Sequence, residues 1–281
     1  MQNYQITKND IMEFRHQLCL AERAEGTVDK YLRDVERFAK WLDGREVSRE
    51  RTAEWKELLV KEQYAPTAIN SMLASIHCFF RFKGLDGCQV RFLRIQRRMF
   101  REQQKELTKQ EYLQLVKTAR EQKKERLALL IETICGTGIR VSEVPYLTVE
   151  TLQTGRAVIS LKGKIRTILI PEKLVKKLKV YARKENIVSG EIFLTKNGTG
   201  ISRKQIWAEM KRLCRDAGVE ATKVFPHNLC HLFARVFYQS CHDIAHLADV
   251  LGHSNIETTR IYLLTTGSEC RCWLEQLALV V

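Results

Sequence analysis

At 281 residues and 32.7 kDa the chain has room for one large or two medium domains. A 44% hydrophobic and 28% charged composition excludes a disordered or collagen-like chain, and the sequence holds no apolar run long enough for a transmembrane helix. The formal charge of +14 points to a polyanionic partner, nucleic acid first and an anionic membrane surface second.

The N-terminal segment MQNYQITKND lacks the basic and apolar regions of a secretory signal, and nine scattered cysteines fit reduced thiols. A cytoplasmic protein is therefore expected. Cys270 and Cys272, separated by one residue, read as two ordinary thiols in a helical tail.

The first hundred residues read as four helices. Val28, Tyr31, Val35, Phe38 and Leu42 step by three and four and line one helical face. Pro66 suits a first helical position, and Ile69, Met72, Leu73, Ile76 and Phe80 continue the period as far as Gly84. Residues 1–100 are thus expected to form a helical bundle.

Basic residues then crowd the chain: Arg91, Arg94, Arg97, Arg98 and Arg101, with few acidic neighbours. Such a run is often only a solvated face. Placed at a domain boundary, it can follow a phosphate backbone and release counterions, so residues 101–107 read as a basic linker and the five arginines as DNA contacts.

A second unit, 108–281, opens with Thr108 and Glu111 as a capping box. Residues 157–161 and 165–170 are apolar and β-branched, which predicts a short hairpin with Lys162, Gly163 and Lys164 at its tip. A small strand-like piece follows at 192–195. Ser202 and Gln205 cap a further helix whose stripe, Ile206, Trp207, Met210, Leu213 and Cys214, is expected to face the core. The fold class is mainly α, with a small antiparallel β-sheet in the second unit.

Polar residues interrupt apolar helices in GTGIRVSEVPYL, PHNLCHLFAR and LGHSNIETTRIYL. Taken singly, each has an ordinary structural reading: Arg140 pairing with Glu143, His227 and His231 as core histidines, His253 as a cap, Tyr262 as a buried ring. A metal centre built from His227, His231, His242, His246 and Cys230 lacks the glutamate of a zinc hydrolase helix, and no metal is expected.

Together the segments resemble the tyrosine recombinase, or phage-type integrase, family, most closely the integrases of bacterial mobile elements. TGIRVSE supplies Arg140 and Glu143, the hairpin supplies Lys162, HNLCH supplies His227 and His231, LGHSN supplies His253, and Tyr262 follows nine residues later. The N-terminal bundle is similar to the family's core-binding domain, a DNA clamp, so the likeness covers nearly the whole chain.

The resemblance implies site-specific recombination or integration of DNA by metal-free transesterification through a 3′-phosphotyrosine, with no cofactor. It implies a catalytic set of Arg140, Lys162, His227, His231, His253 and Tyr262, with Glu143 supporting Arg140 and Lys164 the alternative to Lys162. Ser254 and Glu257 read as the capping box of the helix that carries Tyr262 about two turns along. The implied partner is a double-stranded recombination site bound by a homo-tetramer, the free chain being a monomer or dimer, associated with the nucleoid when bound. Leu274, Leu277, Leu279 and Val280 are either a helix exchanged with a neighbouring subunit or a tail closing the chain's own core.

One position departs from the family pattern. Cys230 stands where the family has its second arginine, and a thiol offers one weak donor in place of a charged planar fork. Arg235, five residues on, points to another face of the helix. The expectation is an impaired recombinase, or alternatively a catalytically inactive DNA-binding regulator or decoy with the same fold.

Overall fold

The computed structural model describes residues 4–96, 106–161, 164–264 and 267–277. The chain divides into two compact units, Met1–Arg97 and Arg98–Val281, each with its own apolar core.

The first unit is a four-helix arrangement of α1 (Lys8–Leu20), α2 (Glu25–Leu42), α3 (Arg49–Lys61) and α4 (Pro66–Phe82). Thr7 and Asp10 cap α1 reciprocally, and Ser48 caps α3. α2 buries Val28, Leu32, Val35, Phe38 and Leu42 along one stripe, as its periodicity predicts, while Tyr31 is half-buried beside it. Phe38 meets Trp55 edge to face at 5.2 Å, and each such fully buried ring contributes on the order of 2–3 kcal/mol. Buried Asp34 is compensated by Lys30 at 2.6 Å and by the Ser75 hydroxyl at 2.8 Å.

After α4 and a 3₁₀ turn at Asp86–Cys88, two polar side chains of α4 hold the chain against that helix. Asn70 accepts from the Leu93 amide and donates to the Leu93 carbonyl, and the His77 ring accepts from the Val90 amide at 3.3 Å. Arg91 and Arg94 are thereby left exposed. Arg97, Arg98 and Arg101, also expected to contact DNA, lie outside the described residues.

The second unit is built on α6 (Glu125–Thr137), which is buried on almost every side, with α5 (Lys109–Glu121) packed against it. Thr108 and Glu111 cap α5 as the sequence predicts. A six-residue 3₁₀ segment, Val141–Tyr146, follows α6, then a single turn α7 (Thr151–Thr154) and a hairpin of β1 (Arg156–Leu161) and β2 (Lys164–Leu169). The register pairs Arg156 with Leu169 and Leu161 with Lys164, so Lys164 belongs to β2 rather than to the tip. Lys162 and Gly163, which join the strands, lie outside the described residues.

α8 (Glu172–Lys184), α9 (Arg203–Ala217), α10 (Pro226–Cys241), α11 (Ile244–Leu251), α12 (Ile256–Arg260) and α13 (Gly267–Gln276) complete the unit. The strand-like piece at 192–195 makes only an isolated bridge between Leu194 and Gly200, because Ile192 and Phe193 are anchored by burial rather than by a ladder. Ser202 and Gln205 cap α9 as expected, but Trp207 does not join its core stripe. Trp207 is 52% exposed, because at 100° per residue it lies about 100° round the helix from buried Ile206 and about 60° from buried Met210, past the edge of the buried stripe.

Leu274 and Leu277 of the tail are also exposed, so they do not close this unit's core; Leu279 and Val280 lie outside the described residues. Among the described residues no helix is long and apolar enough to cross a membrane.

Candidate active site

Five segments of the second unit converge. α6 ends at Gly138, whose left-handed backbone (φ +65°) turns the chain into the 3₁₀ segment and places Arg140 at its N-cap. Buried Glu143 closes this corner: one carboxylate oxygen accepts from the Arg140 amide at 2.8 Å and the other from its guanidinium at 2.9 Å. The Arg140 side chain also donates to the Leu251 carbonyl at 3.0 Å and remains 42% exposed, open to an anion.

Pro226 opens α10, and the helical repeat sets His227 and His231 on one face with ring centroids 4.5 Å apart. Burial, His227 and Arg235 push His231 down to about 4. His227, more open to solvent, is lowered by partial desolvation and by Arg140.

α11 stops at Gly252, and His253 follows with Nδ1 at 2.8 Å from the Thr259 hydroxyl, which fixes the ring. The cap of α12 is Asn255, whose side chain accepts from the Glu257 amide at 2.9 Å; the predicted Ser254 cap is off by one residue. α12 has only five residues and tightens into a 3₁₀ turn, Ile261–Leu263, that carries Tyr262.

The buried Tyr262 ring packs among three histidines: His231 at 4.3 Å, stacked His253 at 5.7 Å and His227 at 5.8 Å. Burial and the Cys230 thiol raise its pKa, while Arg140 pulls the other way. Beside these groups opens a cleft of about 1010 Å³ lined by Arg140, His227 and Cys230 on one side and by Arg203, Lys204 and Trp207 of α9 on the other.

Cys230 is buried, and its thiol donates to the Ile139 carbonyl at 3.4 Å. Desolvation pushes it up to about 11, against the pull of Arg140 and Arg166, so it is a neutral thiol at pH 7. Arg235 is remote from this corner, engaged with Glu106 at 2.5 Å and the Leu107 carbonyl at 2.7 Å.

Arg166 of β2, which belongs to none of the three polar segments, does reach it. Its guanidinium lies 2.5 Å from the Glu143 oxygen that also accepts from the Arg140 amide, and it donates to the Leu251 carbonyl. The available signal was strand alternation: Arg166 pairs with buried Ile159 and shares the inward face with Ile168 and Ile170, a cation where an apolar residue is expected.

Comparison with known proteins fits this arrangement. Residues 105–267 match the model of the phage integrase family, and residues 11–86 match the phage integrase N-terminal SAM-like domain. The chain belongs to the phage integrase, or tyrosine recombinase, family.

Among its relatives is the tyrosine recombinase XerA of Thermococcus kodakarensis, 28% identical over 96% of this chain and 95% of the relative. Tyrosine recombinase XerD of Vibrio cholerae is 24% identical over 85% of each chain. The fold is shared with the Tn1549 transposon integrase solved with transposon right end DNA, at a TM-score of 0.71 and 17% identity over 96% of this chain and 99% of that one. A lambda integrase dimer bound to a core site gives a TM-score of 0.71 at 17% identity over 91% and 94%. Membership of the family implies site-specific DNA recombination, by breakage and rejoining of strands.

Proposed function

We propose that the chain cuts and rejoins duplex DNA with Tyr262 as nucleophile, at a rate reduced by Cys230. The Tyr262 oxygen attacks phosphorus, the bond from phosphorus to the 5′-oxygen breaks, and the product is a 3′-phosphotyrosine with a free 5′-hydroxyl. The phenolic proton passes to a neutral imidazole, His231 being in ring contact. Lys162, or Lys164, returns a proton to the departing 5′-oxygen. Arg140, His227 and His253 bind the non-bridging oxygens, where charge builds in the five-coordinate transition state. Arg91, Arg94 and the α9 face of Arg203, Lys204 and Trp207 hold the flanking duplex, and a tetramer on two duplexes is the assembly that completes strand exchange.

The observation that carries this reading is Tyr262 packed against His227, His231 and His253 with Arg140 on the adjoining cleft. The test starts from a randomised duplex pool from which the Tyr262→Phe chain selects a site. Incubation of the unaltered chain with a nicked version of that site is expected to give an SDS-resistant protein–DNA adduct that Tyr262→Phe does not form. Absence of the adduct overturns the reading.

A second reading, a DNA-binding regulator without strand cleavage, is favoured by one feature: the Cys230 thiol is spent on the Ile139 carbonyl and brings no charge to the phosphate. Tight site binding with no adduct is its signature.

A further inference from the structure

We propose that Arg166 is a positioning residue that balances Glu143 from behind and so leaves the charge of Arg140 available to the scissile phosphate. This deepens the proposed function and rests on it.

Glu143 is buried and holds two guanidiniums, Arg140 at 2.9 Å and Arg166 at 2.5 Å, one on each oxygen. Arg140 and Glu143 alone would form a neutral pair, a poor anchor for an anion. With Arg166 the cluster carries two positive charges and one negative.

The two cations differ in access. Arg140 is 42% exposed on the cleft, whereas Arg166 is 11% exposed and lies behind Glu143. Both donate to the Leu251 carbonyl, which ties the cluster to the end of α11, one residue before Gly252 and two before His253. A buried guanidinium is expensive unless fully paired, yet among the described residues the Arg166 Nε finds no hydrogen-bond partner. A role limited to structure would be filled as well by an apolar side chain, in keeping with its neighbours Ile168 and Ile170. The field of Arg166 also reaches the Cys230 thiol, so it strengthens positive potential at the very position where the family's second arginine is missing.

The test is titration of the full chain with inorganic phosphate, followed by the ring resonances of His227 and His253, with Arg140→Ala as the control that abolishes binding. Arg166→Gln is expected to weaken binding about tenfold, less than the roughly 10²-fold cost of losing a direct oxyanion donor. Arg166→Lys, which keeps the charge but not the fork, should stay within about threefold. Adding Glu143→Gln to Arg166→Gln should return binding to near the unaltered value, which a purely structural clasp would not do.

Glu143→Gln alone should tighten phosphate severalfold, and that arm decides the matter if Arg166→Gln fails to fold. Undiminished binding by Arg166→Gln, no recovery in the double variant, or weakening by Glu143→Gln overturns the role of Arg166 while the catalytic reading stands. Phosphate binding that does not depend on Arg140 overturns both.

Discussion

The ring of Tyr262 stands edge-on to the imidazole of His231, centroids 4.3 Å apart and planes inclined at 69°. Tyr262 is buried and His231 half-buried, and the partial desolvation of the imidazole is measurable as a pH effect. His231 sits at about 4 when folded and near 6.5 when unfolded, so between these values the unfolded chain binds a proton that the folded chain refuses. Stability is therefore full above about pH 6.5 and falls as the pH drops toward 4, by on the order of 1–3 kcal/mol after solvent screening. Melting curves between about pH 7 and 4.5 should show this decline, and His231→Gln should flatten it.

Position 230 is where the proposed reduction in cleavage rate is tested. The thiol touches a backbone carbonyl and is neutral, so Cys230→Ala should change the rate of adduct formation by no more than about threefold. Cys230→Arg should raise that rate by about 10²-fold, the scale of one restored oxyanion donor, while overpacking costs about 1–3 kcal/mol in stability. An unchanged rate in Cys230→Arg means that the cysteine is not what limits cleavage.

Gly252 and Gly218 both end helices in the left-handed region, at φ +62° and +64°, and differ only in their surroundings. An added Cβ at 218 meets nothing within 4 Å, whereas at 252 it would lie 2.5 Å from Arg166 Cδ. Gly218→Ala is expected to cost about 1 kcal/mol for conformation alone. Gly252→Ala should cost roughly 1–2 kcal/mol more and slow adduct formation as well, because it displaces an arginine held at its far end by Glu143 and Leu251. Equal melting-point losses in the two variants would contradict this.

Much of this architecture is legible in the sequence because it follows from local rules. The α2 and α4 stripes and the boxes at Thr108 and Ser202 depend on residues within a turn of one another, and they appear where the spacing puts them. The segments that carry Arg140, His227, His231, His253 and Tyr262 stand out because polar groups interrupt apolar helices there, but their grouping into one candidate site follows from the family resemblance, since each residue alone has an ordinary structural reading. Arg166 was not legible, because its partners Glu143 and Leu251 lie 23 and 85 residues away and only the hairpin's placement brings them together. The α12 cap slipped from Ser254 to Asn255 because several cap-forming side chains compete within one short turn. Trp207 went astray because helical spacing fixes an angle without saying how wide the buried stripe is.

Exposed Trp207 offers an aromatic face for a nucleic-acid partner. Its ring stands on the cleft beside Arg203 and Lys204, with the Lys211 ammonium 5.4 Å from its centroid, an aromatic surface framed by cations. A core tryptophan cut to alanine would cost about 3–5 kcal/mol, but a ring this open should cost no more than about 1 kcal/mol. If the face holds DNA, Trp207→Ala removes apolar and cation-organising contact, and affinity for the selected site should drop by about 5–20-fold. Lys204→Ala should lower affinity too, and should also reduce the steepness of its salt dependence by about one unit, as loss of a phosphate contact does; Trp207→Ala should leave that slope unchanged. Filter-binding isotherms at several salt concentrations, set beside melting curves, distinguish the two. A Trp207→Ala chain that melts early and binds DNA normally would return this residue to the core and remove α9 from the nucleic-acid surface.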